Sequence, residues 1–214
     1  IAIEAEKVVV TSSGFYTSVS LNATAFDYVD GNVDVNLDKA GPYRPGRHEL
    51  TWSARDLNGN LAMTTQTLDV LPLVSIDKNG VVSEGNTYTS AIKLNGPAPE
   101  YPLSIAFDLS GSADTNDFQI DSNSITITEG VSAEIDFRIL ADDINEPDET
   151  LVISLTQVTG SAVLSSAVQQ LSQTILIADR NILPTVDAKI MQNGRMTNTI
   201  YRDQGVVTYV VEAN

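Results

Sequence analysis

The sequence predicts an all-β protein of tandem antiparallel β-sandwiches. Short runs rich in Val, Ile, Thr and Ser alternate apolar with polar residues, and Gly, Asn and Asp punctuate them. No segment keeps a 3.6-residue apolar period for three turns. A length of 214 residues suits one large or two medium domains.

Composition narrows the function. The formal net charge is −16, from 12 basic and 28 acidic residues. Nucleic acids and anionic membrane surfaces need basic patches, so neither is an expected partner. There is no cysteine, hence no disulfide framework and no thiolate metal site. That usage fits many exported bacterial proteins. No apolar run approaches the roughly 18 residues of a membrane span. The chain opens on Ile1 without an initiator Met and ends at Asn214 inside an apparent strand, so it reads as an excerpt from a longer protein.

Residues 1–71 form the first unit. His48, Leu50, Trp52 and Ala54 share one face of a strand, and Glu49, Thr51, Ser53 and Arg55 share the other. Trp52 therefore reads as a core pin rather than a ligand platform. Asp56, Asn58 and Asn60 lie in a hairpin turn in which Asn58-Gly59 supplies positive φ. A return strand follows at 64–70. The motif Asp27-x-x-Asp30-Gly31, then Pro45-Gly46, Leu50-Thr51-Trp52-x-Ala54-x-Asp56 and Gly59-Asn60, resembles the Ig-like, hyalin-type repeats of bacterial surface proteins. The resemblance implies a seven-stranded Ig-like sandwich with a spacer or adhesive role.

Leu71-Pro72-Leu73 and Leu183-Pro184-Thr185 read as boundaries, because proline pins the backbone before a new strand. They delimit a middle domain, 72–182, and an incomplete start of a third β module, 183–214. Residues 73–181 hold 16 of the acids and only 4 bases. The charge is local and needs a local cause.

Much of it sits in Asp142-Asp143-Ile144-Asn145-Glu146-Pro147-Asp148-Glu149. An alternating strand enters this stretch and another leaves it, so the acids occupy a strand-to-strand loop. Two carboxylates about 4 Å apart repel by roughly 4 kcal/mol at an effective dielectric near 20. Such a loop is either a solvated, charged rim or a cation site. Hard oxygens in this number suit Ca²⁺ better than a transition metal.

Strand direction brings further acids to the same end. If neighbouring strands run antiparallel, 132–140 climbs to Asp142, 150–155 descends from Glu149, and 172–178 climbs to Asp179. Residues 88–94, read as pairing with 103–108 through Asn95-Gly96-Pro97, descend from Glu84. Asp117 lies in the loop that 103–108 feeds. Glu84, Asp117, Asp142, Asp143, Glu146, Glu149 and Asp179 then share one end of a sandwich.

Ser83-Glu84-Gly85, Asn116-Asp117-Phe118, Ile127-x-x-Gly130, Asp142-Asp143-Ile144-x-Glu146-x-Asp148-Glu149 and Ile175-x-Ile177-x-Asp179 fall in order across 73–181. Together they resemble the Calx-β module of Na⁺/Ca²⁺ exchangers, integrin β4 and bacterial surface proteins. The resemblance implies Ca²⁺ ligation by Glu84, Asp117, Asp142, Asp143, the Ile144 carbonyl, Glu146 and Asp179, with Glu149 behind them. Ala141 and Ala178 stand where calcium-sensing members carry further Asp. One or two weak sites are implied rather than a multi-ion cluster.

No catalytic residue is expected. His48 is the only histidine, and no Gly-x-Ser-x-Gly elbow accompanies it. A carboxylate pair for glycoside hydrolysis needs an aromatic cleft, and only Tyr101, Phe107 and Phe118 lie near these loops in sequence. Two readings remain. One is a calcium-binding structural or adhesive segment of a large bacterial cell-surface or secreted protein, with any outer-membrane anchor in parts beyond this stretch. Its partners would be Ca²⁺, neighbouring β-sandwich modules, and a surface glycan or protein. The other is a carbohydrate- or matrix-binding accessory module of an exported enzyme.

Overall fold

The computed structural model describes residues 1–142, 144, 146–167, 170–179, 186–192, 195–196 and 207–213. Every regular element among them is a β-strand, and no helix is long and apolar enough to cross a membrane. The chain divides into two compact units. One comprises Ile1–Asp142 with Pro147–Asp179, the other Asp143–Glu146 with Arg180–Asn214.

The first unit holds two hydrophobic cores. Residues 1–71 contribute seven described strands in two sheets. β1 (Ala2–Ile3), β3 (Ala23–Asp27) and β4 (Gly31–Val33) form one sheet. β2 (Lys7–Thr11), β7 (Leu61–Leu71), β6 (Gly46–Arg55) and β5 (Val35–Leu37) form the other, in that order. The β6 alternation is borne out: Leu50, Trp52 and Ala54 are buried, and Arg47, Glu49 and Arg55 are exposed. The indole N–H of Trp52 donates to buried Gln66 Oε1 at 2.9 Å, which meets the need of a buried N–H for a partner. The β6–β7 turn closes as its residues demand. Gly59 adopts φ +88°, and the Asn60 amide donates to Asp56 Oδ1 at 2.7 Å. Tyr43, Leu50, Leu68 and Val70 form this core.

Residues 73–179 build a larger sandwich. One sheet runs β12 (Phe118–Gln119), β14 (Ser132–Ile139), β10 (Thr87–Leu94), β8 (Leu73–Ile76), β16 (Val163–Leu164). The other runs β13 (Ser124–Ile127), β11 (Leu103–Gly111), β15 (Glu149–Thr159), β17 (Ser172–Ala178), β9 (Gly80–Ser83). The inward positions of these strands, including Phe107, Phe137, Ile105, Leu151 and Ile175, close one continuous core.

Two features differ from the expectation. The strands at 87–94 and 103–111 do not pair; they lie in opposite sheets. The eight residues between them cross from sheet to sheet instead of turning back within one. Three edge pairs, β2–β7, β16–β8 and β17–β9, are parallel rather than antiparallel. In the larger sandwich the cause is a strand that changes sheets: β8 belongs to one, and β9, three residues on, to the other. Side chains hold that crossing. Gln173 Nε2 donates to the Lys78 carbonyl at 2.7 Å, and the Thr174 amide donates to Asn79 Oδ1 at 2.9 Å. The Ser90 hydroxyl donates to Gln173 Oε1 at 2.5 Å, deep in the core.

In the second unit, β18 (Val186–Gln192) pairs antiparallel with both β19 (Arg195–Met196) and β20 (Val207–Ala213). The linker stretch 180–184 lies outside the described residues.

Candidate functional site

The strand directions assigned from the sequence hold. β14 runs antiparallel to β10, β10 to β8, β11 to β13 and β15, and β15 to β17, while β9 runs with β17. The C-terminal ends of β9, β11, β14 and β17 and the N-terminal ends of β10, β12, β13 and β15 therefore meet at one end of the larger sandwich.

Hydrogen bonds close these ends into a ring. Glu84 N donates to Ala178 O at 3.1 Å, Ile139 N to Asn86 O at 2.9 Å, and Leu140 N to Asp117 O at 2.8 Å. Asp117 and Asp114 cap one another. Asp114 N donates to Asp117 Oδ2 at 2.5 Å, and Asp117 N to Asp114 O at 3.2 Å. Ala113 N then reaches Thr150 O at 3.1 Å. Asp179 N donates to Asp148 Oδ1 at 3.4 Å, which returns to the starting point. Gly111 is where β11 enters this ring. It has φ +125°, and a Cβ there would lie 2.0 Å from Thr150 O. Only glycine lets the two strand ends come so near.

The structure places the candidate ligands separately. Glu84, Asp117, Glu149 and Asp179 are half-buried and Asp142 is exposed. Glu84 Oε2 is out of contact with water. Asp143 lies outside the described residues. Ile144, exposed, and Glu146, half-buried, belong to the second unit. The stretches 84–86, 111–117, 139–142 and 147–179 contain no Lys or Arg, and the bases nearest to them in sequence are Arg138, near the end of β14, and Arg180, which lies outside the described residues. The rim's donors are hard carboxylate and carbonyl oxygens, the chemistry that suits Ca²⁺. Among the described residues, no three acidic side chains converge closely enough to hold a metal ion. The carboxylates are spread around the ring, with Asp117 and Asp148 capping backbone amides.

The sequence reading did not anticipate the roles of Asp114, Asp148 and Asn86. Asp114-x-x-Asp117 was the available signal, since Asp side chains often cap an amide two or three residues on. His48 lies well away, on β6, with Nε2 at 2.8 Å from Arg44 O.

No protein-family model matches the chain, and no curated protein does. Solved structures are similar at low identity. The apo form of the Calx CBD1 domain is 13% identical with a TM-score of 0.43, over 52% of this chain and 99% of its own. The CBD12 fragment of CALX1.2 is 12% identical with a TM-score of 0.42, over 64% of this chain and 70% of its own. A two-domain protein of unknown function from Bacteroides fragilis is 9% identical with a TM-score of 0.37, over 58% of this chain and 56% of its own.

Proposed function

We propose that this chain is a calcium-binding structural segment of a bacterial cell-surface or secreted protein, part of a tandem β-sandwich stalk or adhesive array. The observation that carries the reading is the hydrogen-bonded ring. It gathers Glu84, Asp117, Asp142, Glu149 and Asp179 at one end of a sandwich, where acids outnumber bases. Ca²⁺ bound there would offset the excess negative charge and draw the spread carboxylates together. The ordered run of motifs from Ser83 to Asp179 supports the same reading. Ala141 and Ala178, in place of further acids, favour weak binding, with Kd in the range of about 10⁻⁴–10⁻³ M found for extracellular modules.

Calorimetric titration of the demetallated protein with CaCl₂ tests this. Binding heat and a raised melting temperature are expected, worth about 2.7 kcal/mol at 100-fold over Kd. Glu84→Gln with Asp179→Asn should abolish both while leaving the calcium-free fold intact. Asp143→Asn with Glu146→Gln asks the same of the acidic run. No heat and no melting shift at millimolar Ca²⁺ would overturn the proposal.

A second reading, carbohydrate binding, has one observation in its favour. Phe26 and Tyr28 are 67% and 99% exposed and touch edge to face, their centroids 6.0 Å apart. Binding of the calcium-free protein to a glycan array, lost in Phe26→Ala with Tyr28→Ala, would favour it.

A further inference from the structure

The connection between β7 and β8 is a single residue, Pro72, and no backbone group around it is left to swivel. Leu71 O accepts from Ser12 N at 2.9 Å, on the side of the smaller sandwich. Pro72 O accepts from Val163 N at 3.0 Å, on the side of the larger one. The Leu73 amide donates to Asn95 Oδ1 at 2.7 Å, and Leu73 O accepts from Asn95 N at 3.1 Å.

Asn95 then reaches back across the joint. Its Nδ2 donates to Ser12 Oγ and to Gly14 O, both at 2.8 Å, and Ser12 is buried. One side chain thus fills its amide with partners from both sandwiches. Beside it the Gly96 backbone lies against a proline of the smaller sandwich: a Cβ at Gly96 would lie 2.9 Å from the Pro45 ring.

A second set of contacts flanks the first. Asp69, on β7, has a side chain only 3% exposed. Arg47 grips it with both arms, Nε to Oδ1 at 2.8 Å and a terminal nitrogen to Oδ2 at 2.9 Å. Lys7 Nζ lies 2.9 Å from Oδ2. The same two bases extend to Glu100 of the larger sandwich, Arg47 at 2.5 Å and Lys7 at 3.6 Å. Paired planar hydrogen bonds of this kind fix geometry as well as charge.

We infer that the two sandwiches of residues 1–71 and 73–179 form one rigid body, locked at a fixed angle by the Asn95 clamp and the Asp69–Arg47–Glu100 bridge without help from a metal ion. A tandem with a free linker needs residues that belong to neither module; here every residue of the connection is bonded to one or the other. This goes beyond calcium binding and stands whether or not the acidic rim takes an ion. The partner that fits the base of the larger sandwich is its own neighbour.

The absence of native cysteine makes spin labelling clean. Asp34→Cys and Glu129→Cys place one label on each sandwich, and double electron–electron resonance reads the distance between them. The parent should give one narrow distribution, the same in Ca²⁺ and in chelator. Asn95→Ala with Glu100→Ala should broaden it while circular dichroism stays that of the parent. Gly96→Val, which drives a side chain into Pro45 without touching either core, should shift or broaden it independently. A broad distribution in the parent, or narrow unchanged distributions in both variants, would overturn the inference.

Discussion

Trp52 is the residue whose loss the smaller sandwich should feel most. It is 6% exposed, sits on the central strand β6, and gives its N–H to Gln66. A buried Trp removes about 150–250 Å² from water, worth about 4–6 kcal/mol at 25 cal/mol per Å². Measured Trp→Ala changes in cores cost about 3–5 kcal/mol. Trp52→Ala also strips Gln66 Oε1 of its donor, adding about 1–3 kcal/mol if no water enters. The total approaches the 5–15 kcal/mol that holds a typical domain together, so Trp52→Ala should leave this sandwich largely unfolded. Trp52→Phe separates the contributions. It keeps most of the ring area but lacks the donor, so it should cost about 1–3 kcal/mol. Urea unfolding followed by circular dichroism measures both. Because Trp52 is the only tryptophan, its emission in the parent reports this site alone. A Phe variant as damaged as the Ala variant would refute burial as the main contribution. An exposed-indole emission spectrum would refute the burial itself.

The joint should respond to pH. Arg47, then Lys7, hold the Asp69 carboxyl below its ordinary 3.8, and the Glu100 carboxyl is held below 4.5 by Arg47 first and then Lys7. Carboxyls depressed in the folded state stabilise above those ordinary values and lose their contribution as pH falls through the folded ones, so melting temperature should drop below about pH 4. Lys7 is raised above 10.5, chiefly by its hydrogen bond to Asp69, so its contribution is lost only as pH rises past that value. Thermal melts of the parent and Asp69→Asn across pH should show a smaller acid slope in the variant; equal slopes would count against the bridge. Gly111→Ala should cost about 2–6 kcal/mol, the sum of a strained φ and a forced backbone shift, and a melt within a degree or so of the parent would contradict the close approach of β11 to Thr150. Gln173→Leu leaves the Ser90 hydroxyl and the Lys78 carbonyl without their partner and should cost about 1–3 kcal/mol by denaturant titration.

Much of this could be read in the chain because strand geometry has a period of two. Leu50, Trp52 and Ala54 announce a buried face, and Ile135, Phe137 and Ile139 another. Strand direction carried Glu84, Asp117, Asp142, Glu149 and Asp179 to a common end, because the chain reverses between 87–94 and 103–111 even though the two strands do not pair. Pairing was harder. Asn95-Gly96-Pro97 reads as a turn whether the chain reverses within a sheet or crosses to the facing one, and the crossing is what the structure contains. Asp69 was illegible for another reason. An acid between the core residues Leu68 and Val70 reads as an ordinary outward position of β7, and its partners Lys7 and Arg47, with Glu100 sharing both, are 62, 22 and 31 residues away. Only the fold brings them together.

The two ends of the larger sandwich manage their acids in opposite ways. At the joint, Glu100 meets Arg47 and Lys7, bases lent by the neighbouring sandwich. At the far end the acids outnumber the nearby bases in sequence, Arg138 and Arg180. The eight residues of β14 separate the two ends by about 26 Å at 3.3 Å per residue. At physiological ionic strength the screening length is about 8 Å, so charge added at one end is not felt at the other through solvent. If the proposed calcium site fills, the angle set by Asn95 and Asp69 should therefore not move. The scattering profile of residues 1–179 should accordingly be the same in Ca²⁺ and in chelator, and a calcium-dependent change in its maximum dimension would show that the two ends communicate through the core after all.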